Sequence, residues 1–495
     1  MDEHACRVLE FDQLRDYVMA QAATPFGRDW LAGLGPIPDR RALEEALHAV
    51  EEVRGILESD EAPSLTPAPE VRPALARARI QGACLDAVEL LRIRDILATV
   101  EKLRRFWRER KGHAPITWEI AQRLIPQPAL VAKIGDAIGP DGSVLDGASA
   151  ALGRLRREIR HLRETIVGRL ESVLAQPDCR RVITEPIITL RNDRYVIPVR
   201  PDFRTCLQGV VQDQSQSGQT LFLEPAPVVG MNNRLRSLER EEAEEVRKIL
   251  VAITTLVGAV AGPFEENLGV LGALDGTVAK AQLGMALGAA TPRITEDGHL
   301  ILRQARHPFL WLQANARAQD PGRPTAVVPI DIEVGGSFSV LVITGPNTGG
   351  KTVALKTVGL LALMVRSGLQ IPASADSQVP FYGAIFADIG DEQSIAQSLS
   401  TFSSHMTQVV QVLNRANGRS LVLLDELGAG TDPSEGAALG MAILEALQSR
   451  GAQVVATTHL ESVKAFAAQT AGMQNACVEF DVEALRPLHR VHLGL

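Results

Sequence analysis

The feature of the sequence that most constrains the fold is a glycine-rich loop, Gly345-Pro346-Asn347-Thr348-Gly349-Gly350-Lys351-Thr352. It follows an apolar run at 338–343 that predicts a buried strand, and it precedes apolar residues at helical spacing over 353–364. Glycines let backbone N–H groups wrap a phosphate, and a helix N-terminus favours negative charge. We therefore predict an α/β domain that binds ATP at this loop, with Lys351 on the β- and γ-phosphates and the Thr352 hydroxyl on Mg²⁺.

Two further apolar runs predict strands that end in polar side chains. The run at 421–424 leads to Asp425 and Glu426, and the run at 454–457 leads to His459. At the end of a buried strand, Asp425 would hold Mg²⁺ and Glu426 would orient the attacking water for ATP hydrolysis. We expect His459 to hydrogen-bond the γ-phosphate or that water.

Composition and charge limit the partners and the cellular compartment that we expect for this chain. The chain has 495 residues and a net charge of −8, so contact with nucleic acid requires a local basic patch. Its five cysteines are scattered and lack metal-binding spacing, which is typical of a reducing cytoplasm. The longest apolar run, 249–263, is too short to span a bilayer, and no apolar signal segment begins the sequence. We expect a cytoplasmic protein that does not enter membranes.

The middle of the chain changes from helical to β-like patterning and back. Helical periodicity dominates residues 1–135, and a helix with one narrow apolar stripe is predicted over 151–174. A charged helix is predicted over 235–256. Between these two helices lie short β-like runs at 182–184, 187–190, 195–199, 207–211 and 220–223.

The simplest interpretation of this pattern is an antiparallel helical arm that carries a small β-rich clamp. A separate compact α+β domain is the alternative. The fold class is therefore a mainly helical core with this arm and clamp, joined to an α/β ATPase domain. The predicted boundaries are 1–150 for the helical core, 151–260 for the arm with its tip at about 180–229, 261–292 for a returning core helix and 293–495 for the ATPase domain.

Two stretches leave their role open. The hydroxyl-rich run 398–406 precedes a predicted helix and suits either a helix cap or a set of donors to a phosphate. The basic cluster at 102–111, with Phe106 and Trp107 inside it, suits a solvated helix face better than a contact with nucleic acid.

Five segments together closely resemble the MutS family of ABC-type ATPases in their order and spacing. They are the loop 345–352, DIGDEQSI at 388–395, SLSTFSSHM at 398–406, LVLLDELGAGTDPSEG at 421–436 and VVATTH at 454–459. The triplet Arg306-His307-Pro308 is similar as well. The chain has no room for mismatch-recognition domains before its helical part, and segments 194–199 and 215–225 look like the clamp of a bacterial paralogue branch outside mismatch repair.

The resemblance implies a homodimer in which two ATP sites form across the interface. Asn347 matches the asparagine of the family's phosphate loop. Ser400 matches the hydroxyl that reaches the γ-phosphate bound by the partner subunit. The loop around Thr431 and Asp432 would connect the two sites.

The resemblance also implies that the arms and clamps of two subunits enclose a nucleic acid, with a grip that ATP alters. Two substrates stay open: branched DNA, bound to suppress homologous recombination, and the ribosome with its RNA, split when stalled or collided. An ATP-dependent structural dimer is a third possibility, which an arm of about 25 residues, roughly 40 Å, disfavours. The candidate nucleic-acid contacts are Arg191, Arg194, Arg200 and Arg204.

This sequence departs from the pattern of the branch at one point. Its members continue into a small carboxy-terminal Smr nuclease domain, whereas this sequence stops at Leu495. A truncated chain and a natural short form are both open, and endonuclease activity is not expected from these residues.

Overall fold

A computed structural model describes residues 3–59, 61–65, 67–176, 182–203, 207–317, 327–346, 350–390, 398–481 and 486–494. The chain divides into two compact units. The first comprises Met1–Ala68, Lys102–Leu124 and Asn267–Leu495, and the second comprises Pro69–Glu101 and Ile125–Glu266. Each unit combines segments that are distant in sequence. The sequence analysis instead divides the chain into consecutive domains with boundaries near residues 150, 260 and 292, and that division stays a prediction.

The helices are α1 (Glu3–Val8), α2 (Phe11–Gln21), α3 (Pro25–Ala32), α4 (Arg40–Glu58), α5 (Arg72–Ala78), α6 (Ala87–Glu109), α7 (Pro115–Ala121), α8 (Pro128–Ala137), α9 (Ala150–Leu174), α10 (Ala226–Ala259), α11 (Ala261–Leu287), α12 (Pro308–Arg317), α13 (Lys351–Arg366), α14 (Ser398–Arg415), α15 (Pro433–Ser449) and α16 (Glu461–Gln469). The strands are β1 (Thr189–Arg191), β2 (Arg194–Val199), β3 (Gly209–Gln214), β4 (Leu221–Pro225), β5 (Arg293–Thr295), β6 (Leu300–Ala305), β7 (Ile330–Val334), β8 (Val340–Thr344), β9 (Gln378–Pro380), β10 (Ala384–Asp388), β11 (Ser420–Leu424), β12 (Gln453–Thr457), β13 (Met473–Asp481) and β14 (Arg486–Leu493).

The first unit is built around a six-stranded sheet with the order β10-β11-β12-β8-β13-β14. Neighbouring strands run parallel, except that β14 is antiparallel to β13. β8, β11 and β12 are buried along their whole length, as expected of strands covered on both faces. The mixed α/β fold is confirmed. The carboxyl ends of β8, β10, β11 and β12 meet at one edge, where the candidate site lies.

The N-terminal helices pack against α13 in this same unit. Leu9, between α1 and α2, is fully buried, and a Cβ added at Gly359 of α13 would lie 2.6 Å from its side chain. Glu10 has a left-handed φ of 63° and pairs with Lys356 of α13 at 2.9 Å. Helix α2 therefore begins only at Phe11, because Leu9 and Glu10 turn toward α13.

The second unit contains an antiparallel pair of long helices, α9 and α10. Arg163 pairs with Glu239 at 2.7 Å and Arg156 with Glu242 at 2.6 Å, so ascending positions on α9 meet descending positions on α10. A four-stranded antiparallel sheet, ordered β1-β2-β4-β3, lies between them in sequence. The helix pair and this sheet share one buried hydrophobic cluster, which includes Ile159, Ile166, Ile197, Leu223 and Leu235.

Several elements differ from their predicted extent. α10 begins at Ala226 rather than at 235, since a proline in the first turn is compatible with a helix. α14 begins at Ser398, so the hydroxyl-rich run lies inside the helix instead of before it. The strand predicted over 182–184 is reduced to one bridge between Ile183 and Val199. The first unit also contains a second sheet, ordered β5-β9-β6-β7.

In the part of the chain that the structure describes, no single helix is long and apolar enough to cross a bilayer. The bent pair α10 and α11 passes that test only when its two helices are counted together. Cys6, Cys84 and Cys477 are free thiols, and Cys179 and Cys206 lie outside the described residues.

Candidate functional site

The phosphate loop joins the end of β8 to the start of α13. Gly345 and Gly350 have positive φ angles of 136° and 90°, which glycine adopts without strain. Lys351 is the first residue of α13, and its Nζ donates back to the carbonyl of Gly345. Pro346 is placed within this turn, whereas Asn347, Thr348 and Gly349 lie outside the described residues. The described ends of the loop have the strand–loop–helix geometry that the sequence predicts.

Lys351 is a buried cation beside two carboxylates. Only 3% of the residue is exposed. Burial lowers the pKa of Lys351, and the negative charges of Glu426 and Asp425 partly oppose this shift. A buried ammonium at the start of a helix is a favourable binding partner for an anion such as a phosphate.

Asp425 is held by hydroxyl groups from two other elements. Thr352 donates to Asp425 Oδ2 at 2.7 Å, and Thr457, at the end of β12, donates to Asp425 Oδ1. The backbone N–H of Asp425 donates to the carbonyl of Asp388, at the end of β10, at 2.9 Å. The structure thus brings together Thr352 and Asp425, the two predicted magnesium ligands.

Glu426 follows in a constrained backbone conformation. Its φ is 48°, in the left-handed region that residues other than glycine rarely adopt. Its N–H donates to the hydroxyl of Thr457 at 2.8 Å. Strained residues cluster at functional sites, where the surrounding structure holds them in place.

The donor set fits a magnesium–phosphate group. Mg²⁺ prefers oxygen ligands and commonly takes only one or two from protein, with the rest supplied by phosphates and water. The Thr352 hydroxyl and the Asp425 carboxylate are two such ligands, already in contact with each other. Among the described residues, no cluster of three or more His, Cys, Asp or Glu side chains forms a self-sufficient metal site. Two protein oxygen ligands leave the remaining coordination positions to phosphates and water.

His459 lies two residues beyond β12, and its side chain is exposed. Between them, Thr458 donates to the carbonyl of Leu427 at 3.0 Å, which ties the segment leading to His459 to the residue after Glu426. The structure thus places His459 at the edge of the sheet where the carboxyl ends of β11 and β12 lie.

The loop after Glu426 is closed by two glycines. A Cβ on Gly436 would lie 2.1 Å from the carbonyl oxygen of Gly428, so the two backbones touch. Asp432 caps α15 by accepting from the N–H groups of Ser434 and Glu435. Hydrogen bonds from the Ser434 hydroxyl and from these N–H groups lower the pKa of Asp432. The side chain of Ser400, in the third position of α14, lies outside the described part of the chain.

Two side chains that the sequence did not single out as site residues line a pocket together with Asp425 and Glu426. His405 on α14 and Asp388 at the end of β10 are hydrogen-bonded at 3.0 Å. Both border the pocket that Asp425 and Glu426 also border. Their segments were noted for resemblance alone, and only the packing of α14 against the end of β10 shows that the two side chains meet.

The candidate arginines of the second unit have different surroundings. Arg194 donates to the fully buried Glu224 at 2.8 Å and to Asn233 at 2.7 Å, which gives it a structural role. Arg191 lies over the Phe222 ring at 4.3 Å. Arg200 is exposed, and Arg204 lies outside the described residues. Their contact with nucleic acid stays a prediction.

The basic cluster on α6 contributes partly to the interior of the first unit. Trp107 is fully buried, and Arg110 lies over the Phe106 ring and pairs with Glu61. These contacts favour a structural role for this end of the helix.

The chain is similar to proteins of a known family. Residues 341–493 match the domain family described as MutS domain V, and this range contains the paired Thr352, Asp425 and Thr457. The full chain is 42% identical over 494 residues to the Endonuclease MutS2 of Pelotomaculum thermopropionicum. It is 41% identical over 497 residues to that of Halalkalibacterium halodurans and 41% over 498 residues to that of Geobacillus kaustophilus.

The chain belongs to the MutS family. Its place is on the paralogue branch of the proteins named Endonuclease MutS2, because the similarity covers 100% of the chain. The chain spans 61% and 62% of the length of the first two relatives. The resemblance inferred from the sequence is confirmed, including its assignment to this branch.

Proposed function

We propose that this MutS-family chain binds and hydrolyses ATP with Mg²⁺. The observation that carries the proposal is the hydrogen-bonded set Thr352, Asp425 and Thr457, which lies beside the buried Lys351. Two strand ends and one helix start contribute to this set, so the fold gathers the groups that an ATP site needs.

Each residue has a role that follows from its position. Lys351 and the N–H groups at the start of α13 bind the phosphates, together with Asn347 and the rest of the loop. Thr352 and Asp425 hold Mg²⁺, which neutralises charge on the phosphates when bound. Glu426 orients and polarises the attacking water, and His459 hydrogen-bonds the water or the γ-phosphate. Ser400 completes the site of a partner subunit.

We further propose that the second unit grips nucleic acid. α9 and α10 act as an arm, and the sheet β1-β2-β4-β3 acts as the clamp at its tip. Supporting this, the buried Glu224 accepts from Arg194, Gln212 and Asn232, so two neighbouring strands and α10 converge on one carboxylate. A rigid tip of this kind can transmit a movement of the helices. Exposed Arg191 and Arg200 are the proposed contacts to phosphate groups of branched DNA.

The proposed working form is a homodimer with an ATP site in each subunit, in which ATP changes the grip on nucleic acid. Suppression of homologous recombination through branched DNA is the process we assign to it. The relatives' name describes an endonuclease, and the proposal assigns no nuclease step to these residues.

Two substitutions test the ATPase. Glu426→Gln should keep ATP affinity and lose at least about a hundredfold in turnover, the scale of a lost general base. Lys351→Ala should lose ATP binding in calorimetry. Glu445→Gln makes the same chemical change as Glu426→Gln at an exposed position of α15, and it should behave as wild type. Unchanged steady-state hydrolysis by Glu426→Gln would refute its role, and wild-type ATP binding by Lys351→Ala would refute the phosphate loop.

A further inference from the structure

Asp388 links the sheet to the candidate magnesium ligand. It is the last residue of β10, and its carbonyl accepts the N–H of Asp425 at 2.9 Å. Its side chain is only 10% exposed. A carboxylate this buried needs a strong donor, since an unpaired buried charge is costly.

His405 supplies that donor. Its Nδ1 lies 3.0 Å and 3.1 Å from the two carboxylate oxygens of Asp388. An ionised carboxylate only accepts hydrogen bonds, so Nδ1 carries the proton. The ring also lies so close to Gly390 that a Cβ there would be 3.2 Å from Cε1. The contact with Asp388 and the close approach of Gly390 therefore help to fix the imidazole.

The pair joins α14 to the edge of the sheet that carries the site. His405, Met406 and Val409 from α14 border the same pocket as Asp425 and Glu426. We propose that Asp388 and His405 are a positioning pair, which holds α14 against the carboxyl ends of β10 and β11 and so keeps the wall of this pocket in place around Glu426. This inference rests on the proposed ATPase function. It adds two residues that affect catalysis by positioning other residues.

A positioning role makes a specific kinetic prediction. Loss of the pair leaves Lys351 and Thr352 in place, so the KM for ATP should change by less than about twofold. The kcat should fall about tenfold, the scale of one lost hydrogen bond that orders a site. Because the two residues act as a unit, the double variant should be no slower than either single variant.

The test compares His405→Ala, Asp388→Ala and the double variant with His405→Asn. The amide nitrogen of asparagine can donate to Asp388 from nearly the position of Nδ1, so His405→Asn should recover most of the lost kcat. Gln411→Ala, at an exposed position of the same helix, is the control and should match wild type. Amide hydrogen exchange over 405–415 should be faster in His405→Ala and normal in His405→Asn.

The outcomes separate this inference from the ATPase proposal. Wild-type turnover by His405→Ala, with Glu426→Gln inactive, would overturn the inference and leave the ATPase proposal standing. A His405→Asn protein as inactive as Glu426→Gln would also overturn it, since the imidazole would then have chemistry of its own. If Glu426→Gln retains turnover, the role proposed for Glu426 fails instead. Unchanged hydrogen exchange in His405→Ala would then overturn the positioning pair by itself.

Discussion

At the scale of single residues, the site depends on Thr457 as much as on its carboxylates. This buried hydroxyl donates to Asp425 and accepts from the N–H of Glu426. It therefore orients the proposed magnesium ligand and also stabilises the left-handed backbone of the proposed general base. One side chain at the end of β12 therefore orients two residues that follow β11, Asp425 and Glu426.

Thr457→Val should impair catalysis while preserving the fold. Valine keeps the shape but leaves the N–H of Glu426 without its acceptor, at a cost of about 1–3 kcal/mol. We expect kcat to fall about tenfold or more and the Mg²⁺ concentration for half-maximal turnover to rise. The measurement is ATP hydrolysis across a magnesium series, with Thr457→Ser as the control that keeps the hydroxyl. A valine variant with the wild-type magnesium dependence would show that Thr457 does not orient Asp425.

Sequence reasoning singled out the candidate site residues whose motifs are local. Lys351 and Thr352 lie in one glycine-rich motif, and Asp425 and Glu426 follow one apolar strand. The residues next to them in sequence were therefore enough to suggest their roles. The partners Thr457 and His405 were missed as site residues because the role of Thr457 depends on β12 lying beside β11, and that of His405 on the packing of α14 against β10. Strand order is set by tertiary packing, and no short segment encodes it.

At the scale of elements, α13 is held at both ends. Its start forms the phosphate loop, and near its end Lys280 of α11 donates to the carbonyl of Ser367 at 3.1 Å. The Lys280 ammonium also lies 5.0 Å from the centre of the Trp30 ring. A positive charge is favourable at a helix C-terminus. Burial nevertheless lowers the pKa of Lys280 to about 8.

This pKa predicts a pH-dependent stability. Between about pH 8 and the ordinary lysine pKa of 10.5, the unfolded chain carries a proton that folded Lys280 has lost. The free energy of unfolding therefore rises with pH across this window, by about 3 kcal/mol from this group. Lys280→Met should remove the rise. Urea unfolding at pH 7 and pH 10.5 measures it, and an equal pH response in both proteins would contradict the assignment.

The elements themselves were predictable to different degrees. Long helices such as α9 followed from their apolar stripe, and β11 and β12 from apolar runs bounded by polar residues. The break at Glu10 was not predictable, because a residue other than glycine adopts a left-handed conformation there to pair with Lys356. The buried Glu224 likewise sits in a strand pattern that gives no sign of its three donors.

At the scale of the whole molecule, the chain passes repeatedly between its two units. α11 begins in the second unit and ends in the first, where Lys280 meets the end of α13. ATP can alter the grip on nucleic acid only if it binds one arrangement of the molecule better than another.

The most direct test of this account is the affinity of the Glu426→Gln protein for a four-way DNA junction, measured with and without ATP and Mg²⁺ across a salt series. Duplex DNA and 70S ribosomes are the comparison ligands. We predict that ATP tightens binding to the junction by about tenfold or more, with a preference over duplex that persists at each salt concentration. Equal affinity with and without ATP, or a preference for ribosomes with only salt-sensitive binding to DNA, would contradict the account.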